Sequence, residues 1–139
     1  MVFNPFIGYD ESFGHQLRVP LKAGVTYTFL VDVAYAANYS PWYSAPQVPI
    51  PFRINGGQQS CPSTLLWSKL IPTARTNWQT DTVIVTPSVD ITHLQFVTTG
   101  SASSTQGALL IDNLRTLTGI VLKKEDGTAE VDGKQFRLL

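Results

Sequence analysis

The stretch from residue 19 to residue 33, VPLKAGVTYTFLVDV, carries the strongest indication of the fold. From Tyr27 onward, large apolar side chains alternate with smaller or polar ones. A period of two residues is typical of a strand that buries one face, because successive side chains of a strand point to opposite sides of the sheet. Gly24 precedes this run, where a tight turn needs a residue that accepts a positive φ angle. The stretch therefore predicts strand, turn and strand, with Tyr27 and Phe29 in the core.

The same alternation recurs along the chain, and turn-forming residues separate several of the runs. The candidate strands are Gln16–Leu21, Tyr27–Val33, Pro51–Asn55, Leu65–Leu70, Thr82–Thr86, Leu94–Thr98 and Leu109–Asp112. Amphipathic helical periodicity is hard to find. About seven short strands without a convincing helix indicate an all-β fold, an antiparallel β-sandwich or barrel.

The composition excludes several classes of function. The chain has 139 residues, of which 43% are hydrophobic, so it can build one substantial core. Ten basic and ten acidic residues cancel, and such a chain lacks the electrostatic footprint of a nucleic-acid or membrane-surface binder. No apolar run approaches the roughly 20 residues that span a bilayer, so no membrane insertion is expected.

The sequence does not predict an enzyme. It contains no Gly-x-Ser-x-Gly elbow, no His-Glu-x-x-His helix and no phosphate-binding loop. A glycosidase needs two carboxylates at a fixed separation, and among residues 1–119 only Asp10 and Glu11 are close in sequence. The single cysteine, Cys61, excludes an intrachain disulfide and is expected to be a small buried apolar residue.

Charge is distributed unevenly along the chain. Residues 120–139 hold eight of the twenty charged residues. This shift predicts a β-sandwich domain over residues 1–118 and a charged, β-hairpin-like tail over residues 119–139. Within the tail, short strands are expected at Ile120–Leu122, Ala129–Val131 and Phe136–Leu139, around turns that contain Asp-Gly.

Four segments, in this order, resemble a known family. They are VPLKAGVTYTF from residue 19, INGG from residue 54 with Cys61 and LLWS from residue 65, NWQT from residue 77 with VTP from residue 85, and LIDNL from residue 110. Together they resemble galactose-binding-like jelly-roll domains, which include many carbohydrate-binding modules. The combination is similar to modules of large secreted or surface proteins of gliding, polysaccharide-degrading bacteria.

The resemblance implies a non-catalytic, extracellular or cell-surface module that recognises a polysaccharide or surface glycan. The alternative that it leaves open is an adhesive or structural spacer domain without glycan affinity. The start of the chain, MVFNP, does not identify a signal peptide, because it has neither a basic segment nor an apolar run. The extracellular location therefore follows from the resemblance alone.

The segment 35–46 is the strongest candidate for ligand contact. It holds three tyrosines and a tryptophan within twelve residues, and prolines stiffen it. An exposed aromatic ring can stack on the apolar face of a sugar at little entropic cost, while amides bind the hydroxyl groups. The predicted ligand contacts are Asn38, Tyr39, Trp42, Tyr43, Gln58 and Trp67. The alternatives are that the loop folds down as a lid with buried aromatics and that Trp67 belongs to the core.

A structural calcium is a further expectation from the resemblance. In many galactose-binding-like modules the aspartate of the closing strand helps to bind calcium, and Asp112 matches that position. Glu11 is the predicted second ligand, with the neighbouring Asp10 as the alternative. Calcium takes six to eight oxygens, whereas this chain offers few clustered carboxylates. Otherwise Asp112 is expected to accept hydrogen bonds from nearby backbone or from an arginine.

Overall fold

The computed structural model describes residues 2–3, 11–37, 47–99 and 107–116, together with the backbone of three short C-terminal strands. For residues 2–3 and 11 it likewise describes the backbone only. Every regular element within these ranges is a β-strand, which confirms the all-β prediction. No helix long and apolar enough to cross a membrane occurs among the residues described.

The strands form two four-stranded antiparallel sheets. Their bounds are β1 Val2–Phe3, β2 Glu11–Leu21, β3 Tyr27–Tyr35, β4 Ile50–Gly57, β5 Thr64–Ile71, β6 Gln79–Val85, β7 Ile91–Thr98 and β8 Leu109–Thr116. The first sheet has the order β1-β8-β3-β6 and the second the order β2-β7-β4-β5. The chain crosses from one sheet to the other at every connection except β4 to β5. This connectivity is that of a jelly roll, as predicted.

The core lies between the two sheets. The alternating side chains predicted from the sequence to face inward are the ones that are buried there. In β6 the residues Asp81, Val83 and Val85 are buried while those between them are exposed. In β3 the side chains of Val31 and Val33 are fully buried. Each such side chain stabilises the fold by roughly 1.5–3 kcal/mol relative to exposure. Thr28 and Ile84, a cross-strand pair, lie on the opposite face.

Aromatic rings fill the centre of the second sheet's inner face. Phe13 stacks on Phe96 with ring centroids 4.6 Å apart, and Phe96 lies 6.4 Å from Phe52. Trp67 meets Phe52 edge-on at 5.7 Å. Offset and edge-to-face arrangements of this kind add about 0.5–1.5 kcal/mol per pair beyond burial.

The turn before β3 is built as the sequence predicts. Gly24 has a φ angle of 75°, and its N–H donates to the carbonyl of Pro87 at 2.8 Å. Two contacts pin the neighbouring residues: the Lys22 ammonium lies 2.7 Å from the Asp90 carboxylate, and the Lys22 N–H donates to the Tyr27 hydroxyl at 2.8 Å. Tyr27 is half-buried and Phe29 is buried, so both rings contribute to the core.

A buried ion cluster closes the side of the sandwich formed by β5 and β6. Arg75 donates from Nη1 to Asp81 at 2.7 Å and from Nε to the carbonyl of Val33 at 3.1 Å. Lys69 of β5 binds the other oxygen of Asp81. Arg75 and Asp81 are only 4% and 5% exposed. The cluster links the second sheet to the first, which the sequence did not predict.

One end of the sandwich, here called the rim, is where β3 ends at Tyr35, β4 begins at Ile50 and β6 begins at Gln79. The Tyr35 N–H donates to the carbonyl of Arg75 at 2.7 Å, and its hydroxyl donates to the carbonyl of Val48 at 3.1 Å. The rim therefore brings together the segments that follow β3, precede β4 and precede β6.

All seven predicted strands are longer in the structure, and two of them differ most from the prediction. The strand predicted over residues 16–21 begins at Glu11, because residues 11–16 continue to pair with β7. The strand predicted to end at Asp112 continues to Thr116, because a bulge restores its pairing with β3.

The C-terminal strands form a separate antiparallel sheet in the order β11-β10-β9. Their bounds are β9 Leu122–Lys123, β10 Thr128–Val131 and β11 Lys134–Arg137. Three short strands around two turns were predicted here, the first beginning two residues too early and the last two residues too late. The division into a domain over 1–118 and a tail over 119–139 stays a prediction.

Candidate ligand-binding surface

A hydrogen-bonded cluster is centred on Asp32, on the outer face of the first sheet. The Thr80 hydroxyl donates to Oδ1 of Asp32 at 2.6 Å, and the Asn113 amide donates to Oδ2 at 2.9 Å. Arg115 lies 3.3 Å from the same Oδ2. The four side chains come from β3, β6 and β8, so the register of three strands assembles the cluster.

A β-bulge in β8 turns Asn113 toward Asp32. Leu30 pairs with Arg115 and Asp32 pairs with Asp112, so two steps along β3 correspond to three along β8. The extra residue, Asn113, has a φ angle of 57°. Asparagine tolerates this left-handed conformation better than most residues. Its N–H donates to Asp112 Oδ1 at 2.7 Å, and its carbonyl accepts from Arg115 Nη1 at 2.9 Å.

Asp32 is ionised at neutral pH. The hydrogen bonds from Thr80 and Asn113, with a smaller contribution from Arg115, hold the pKa of Asp32 below its ordinary value of 3.8. The side chain of Asp32 is 20% exposed and that of Arg115 is 40% exposed. The surface therefore presents a fixed negative charge beside a partly accessible guanidinium group.

An exposed tryptophan adjoins this cluster at the rim. Trp78 lies two residues before Thr80 and is 52% exposed. The segment that carries it is fixed by the hydrogen bond between the carbonyl of Arg75 and Tyr35. The structure places Trp78 at the rim, directly before the start of β6. Asn77 and Gln79, on either side of it, are exposed as well.

The aromatic segment predicted to contact ligand starts and ends at the same rim. The Gln47 side-chain amide donates to the carbonyl of Ala37. This bond joins the residues on either side of positions 38–46, which hold most of the segment. The predicted contacts Asn38, Tyr39, Trp42 and Tyr43 lie outside the described residues. Both alternatives for this segment, ligand contact and a lid with buried aromatics, therefore stay predictions.

Gln58 lies at the opposite end of the sandwich. It follows β4, whose eight residues extend about 25 Å from the rim. There it lines an open depression of about 470 Å³ with Gln59, Pro62 and Ser63. The structure therefore separates Gln58 from the two residues that anchor the aromatic segment, Ala37 and Gln47. Ligand contact by Gln58 stays a separate prediction.

Trp67 has the placement that the packing alternative expects. It pairs with the buried Ile54 on the inner face of the second sheet, and its ring packs edge-on against Phe52. It is half-buried and belongs to the shell around the core. This inward position does not bring Trp67 to the surface formed by Trp78 and Asp32.

The expectation for Cys61 was wrong, because its thiol is exposed. Cys61 lies in the bend between β4 and β5, not at an inward-facing strand position. Residues 58–61 are all exposed, so this bend contributes nothing to the core.

The predicted calcium at Asp112 and Glu11 stays a prediction, because the side chain of Glu11 lies outside the described residues. No group of three His, Cys, Asp or Glu side chains that could hold a metal occurs in the described part of the chain. Both oxygens of Asp32, the carboxylate opposite Asp112, already accept hydrogen bonds. Glu11 begins the edge strand of the other sheet, and only its backbone is described. Asp112 instead accepts a hydrogen bond from the next backbone N–H.

The sequence did not predict that Asp32, Thr80 and Trp78 belong to one surface. Two signals pointed there: Asp32 interrupts an otherwise apolar strand, and Asp112-Asn113 breaks the alternation of β8. Neither signal could show that the two interruptions face each other, because that depends on the register between strands far apart in sequence.

Comparison with known proteins finds similarity of shape. No family model and no curated protein matches the chain. One similar solved structure is described as "CBM4 structure and function", with a TM-score of 0.48, 13% identity, and coverage of 70% of this chain and 67% of that one. Another is described as "Family 16 Carbohydrate Binding Module-2", with a TM-score of 0.46, 16% identity, and coverage of 84% and 75%. Similarity at this level carries no argument about function.

Proposed function

We propose that this chain is a non-catalytic, extracellular carbohydrate-binding module that recognises a polysaccharide at its rim. The binding surface comprises Trp78, the Asp32 cluster, and the aromatic residues of segment 38–46. The observation that supports this most directly is the exposed Trp78 ring two residues from Thr80, whose hydroxyl donates to the Asp32 carboxylate. An aromatic face and fixed polar groups side by side are what recognition of a sugar ring requires.

The cluster retains groups that can bind hydroxyls. Arg115 uses Nη1 for both of its contacts with the protein, and within the described residues no hydrogen bond involves its Nη2 or Nε. Asp112 uses Oδ1 for Asn113, which leaves Oδ2 as an acceptor. A sugar with two neighbouring hydroxyls could therefore accept from Arg115 and donate to Asp112. Because the protein already orders these groups, binding costs little side-chain entropy.

The environment of Asp32 does not suit it to be the acid of a glycosidase. Asp32 and Asp112 face each other on β3 and β8, as a pair of glycosidase carboxylates would. A glycosidase, however, needs one carboxylic acid whose pKa is raised so that it can protonate the leaving group. The pKa of Asp32 is lowered, because Thr80 and Asn113 stabilise its charged form. Asp32 is therefore suited to accept hydrogen bonds, not to donate a proton.

A polysaccharide binding screen by affinity electrophoresis, followed by calorimetry, tests the proposal. We expect Trp78→Ala and Arg115→Ala to weaken binding while the circular dichroism spectrum is retained. Trp42→Ala tests the aromatic segment in the same way. Ile84→Ala is the matched control, because Ile84 is 59% exposed on the same strand as Thr80 but lies outside the cluster. Unchanged affinity in both tryptophan variants would remove the proposed surface.

The second candidate, an adhesive or spacer domain without glycan affinity, is favoured by a different observation. Leu65 and Leu70 on β5 are 54% and 59% exposed. Such side chains suit contact with protein. The absence of binding to every polysaccharide in the screen, with the fold intact, would favour this second function.

A further inference from the structure

Two carboxylates lie directly opposite each other on the outer face of the first sheet. Asp32 of β3 pairs with Asp112 of β8. In such a cross-strand pair the Cβ atoms are about 4.5–5.5 Å apart, and like charges at this distance destabilise the sheet. The stability of the sheet therefore does not explain why both positions carry a carboxylate.

A cation balances only one of the two carboxylates. Asp32 has the Arg115 guanidinium at 3.3 Å and also accepts from Thr80 and Asn113. Asp112 accepts from the N–H of Asn113, and within the described ranges it takes part in no ion pair. Because Asp112 is exposed, its uncompensated charge faces any ligand on this surface.

The outer face of the first sheet therefore has an excess of negative charge. The described strands of this sheet carry four charged residues, Asp32, Asp81, Asp112 and Arg115. Asp81 is buried and pairs with Arg75, so it does not contribute to the outer face. Two carboxylates and one guanidinium remain there. The chain as a whole is neutral, so the excess belongs to this face and not to the molecule.

We infer that this surface selects against acidic polysaccharides, which carry carboxylate or sulfate groups, and that Asp112 determines this specificity. The inference rests on the proposed function, because it concerns the ligand of the same surface. A carboxylate bound to Arg115 would lie beside Asp32 and Asp112, and like charges brought together across an interface oppose binding. Hydroxyl groups meet no such repulsion, and an ammonium group would be attracted to Asp112.

Derivatives of one backbone that differ mainly in charge test the inference. The probes are carboxymethyl, hydroxyethyl and aminoethyl derivatives of cellulose, xylan, galactomannan and dextran, each at the same degree of substitution. In calorimetry at low salt, we expect the carboxymethyl form of a bound backbone to bind at least about fivefold more weakly than the hydroxyethyl form. The aminoethyl form should bind no more weakly than the hydroxyethyl form. Added salt should reduce the difference, because it screens charges at an exposed surface.

The variant Asp112→Asn identifies the residue responsible. Its amide oxygen can still accept from the Asn113 N–H, and it should remove most of the difference between the carboxymethyl and hydroxyethyl forms. Asp90→Asn is the matched control, because it also removes one negative charge from the molecule. Asp90 lies beyond the end of β6 that is far from the rim and pairs with Lys22. This control should retain the difference, and circular dichroism verifies the fold of both variants.

The outcomes separate this inference from the proposed function. Carboxymethyl forms that bind as tightly as hydroxyethyl forms, or an undiminished difference in Asp112→Asn, would overturn the inference and leave the proposed function standing. An absence of binding to every derivative and every parent polysaccharide would overturn both. If Asp112→Asn does not fold, the salt dependence of the wild-type chain decides, because a difference that salt does not reduce would not come from charge.

Discussion

At the scale of single residues, Arg75 and Asp81 form the ion pair that is most removed from water. Their side chains are 4% and 6% exposed, and Arg75 also donates to the backbone of β3. A buried pair is weak evidence for net stability, but removal of one partner leaves a buried charge uncompensated. The pair therefore favours this placement of Arg75 beside β3 and β6, because any arrangement that separates the two side chains leaves a buried charge unpaired.

Arg75→Met is expected to lower the free energy of unfolding by about 3–5 kcal/mol, because Asp81 loses its buried partner. Lys69→Met removes the half-exposed partner of the same carboxylate and is expected to cost at most about 1 kcal/mol, since solvent screens that contact. Urea denaturation of both variants measures the difference. Equal losses would show that burial does not distinguish the two contacts.

Asp32 and Asp90 make stability depend on pH in the acid range. Hydrogen bonds from Thr80 and Asn113 lower the pKa of Asp32, and those from Lys22 and Ala23 lower the pKa of Asp90. A carboxyl group whose pKa is lowered on folding contributes stability above its unfolded pKa. That contribution is lost as the pH falls through the folded value.

We therefore expect the melting temperature to be steady near neutral pH and to decrease as the pH falls below the ordinary carboxyl pKa of 3.8. Over that acid range, the melting temperature of the double variant Asp32→Asn, Asp90→Asn should decrease less than that of the wild-type chain. Differential scanning calorimetry from pH 7 to about pH 2.5 measures both. If the melting temperatures of the two proteins decreased equally with pH, Asp32 and Asp90 would not be the source of the acid dependence.

At the scale of elements, the bulge in β8 places Asn113 in the candidate surface. Without the extra residue, Arg115 and Thr116 would fall out of register with Leu30 and Phe29 of β3. The bulge thus lets one strand serve the core before Asp112 and the polar cluster after it. Asn113 combines the two requirements, because its backbone adopts the positive φ angle and its amide reaches Asp32.

Variants at Asn113 separate these two roles. Asn113→Ala is expected to cost about 1–2 kcal/mol of stability, because a Cβ without a polar group is strained at a φ angle of 57°. Asn113→Gly relieves the strain and should retain most of the stability, yet it removes the hydrogen bond to Asp32. Chemical denaturation ranks the variants, and the glycan screen shows whether the amide is needed for binding. A glycine variant as unstable as the alanine variant would show that the backbone conformation is unimportant.

At the scale of the whole molecule, the sequence predicted what depends on local periodicity. The turn at Gly24, the burial of Phe29 and the pairing of two layers follow from alternation and turn chemistry. The continuation of β8 to Thr116 and the meeting of Arg75 with Asp81 could not be predicted, because both depend on the register of distant strands. For the candidate site, the link from Trp78 through Thr80 to Asp32 could not be predicted either, because it depends on the pairing of β3 with β6.

Chelation tests whether a metal contributes to the stability of the whole molecule. The described residues near Asp112 do not build a calcium site, so we expect EDTA to leave the melting temperature unchanged. A tightly bound ion would stabilise the native state by several kcal/mol at saturation, and its removal would lower the melting temperature visibly. A decrease in melting temperature on chelation that added calcium reverses would confirm the predicted metal site.

The hydrogen bond from the Gln47 side chain to the Ala37 carbonyl bears on how sequence variation in segment 38–46 affects the molecule. Together with the bond from the Tyr35 hydroxyl to Val48, it ties both ends of segment 38–46 to the scaffold without using any residue inside the segment. Neither of these bonds depends on which side chains occupy the nine positions between Ala37 and Gln47. A library randomised there should keep one common melting behaviour while its members differ in what they capture.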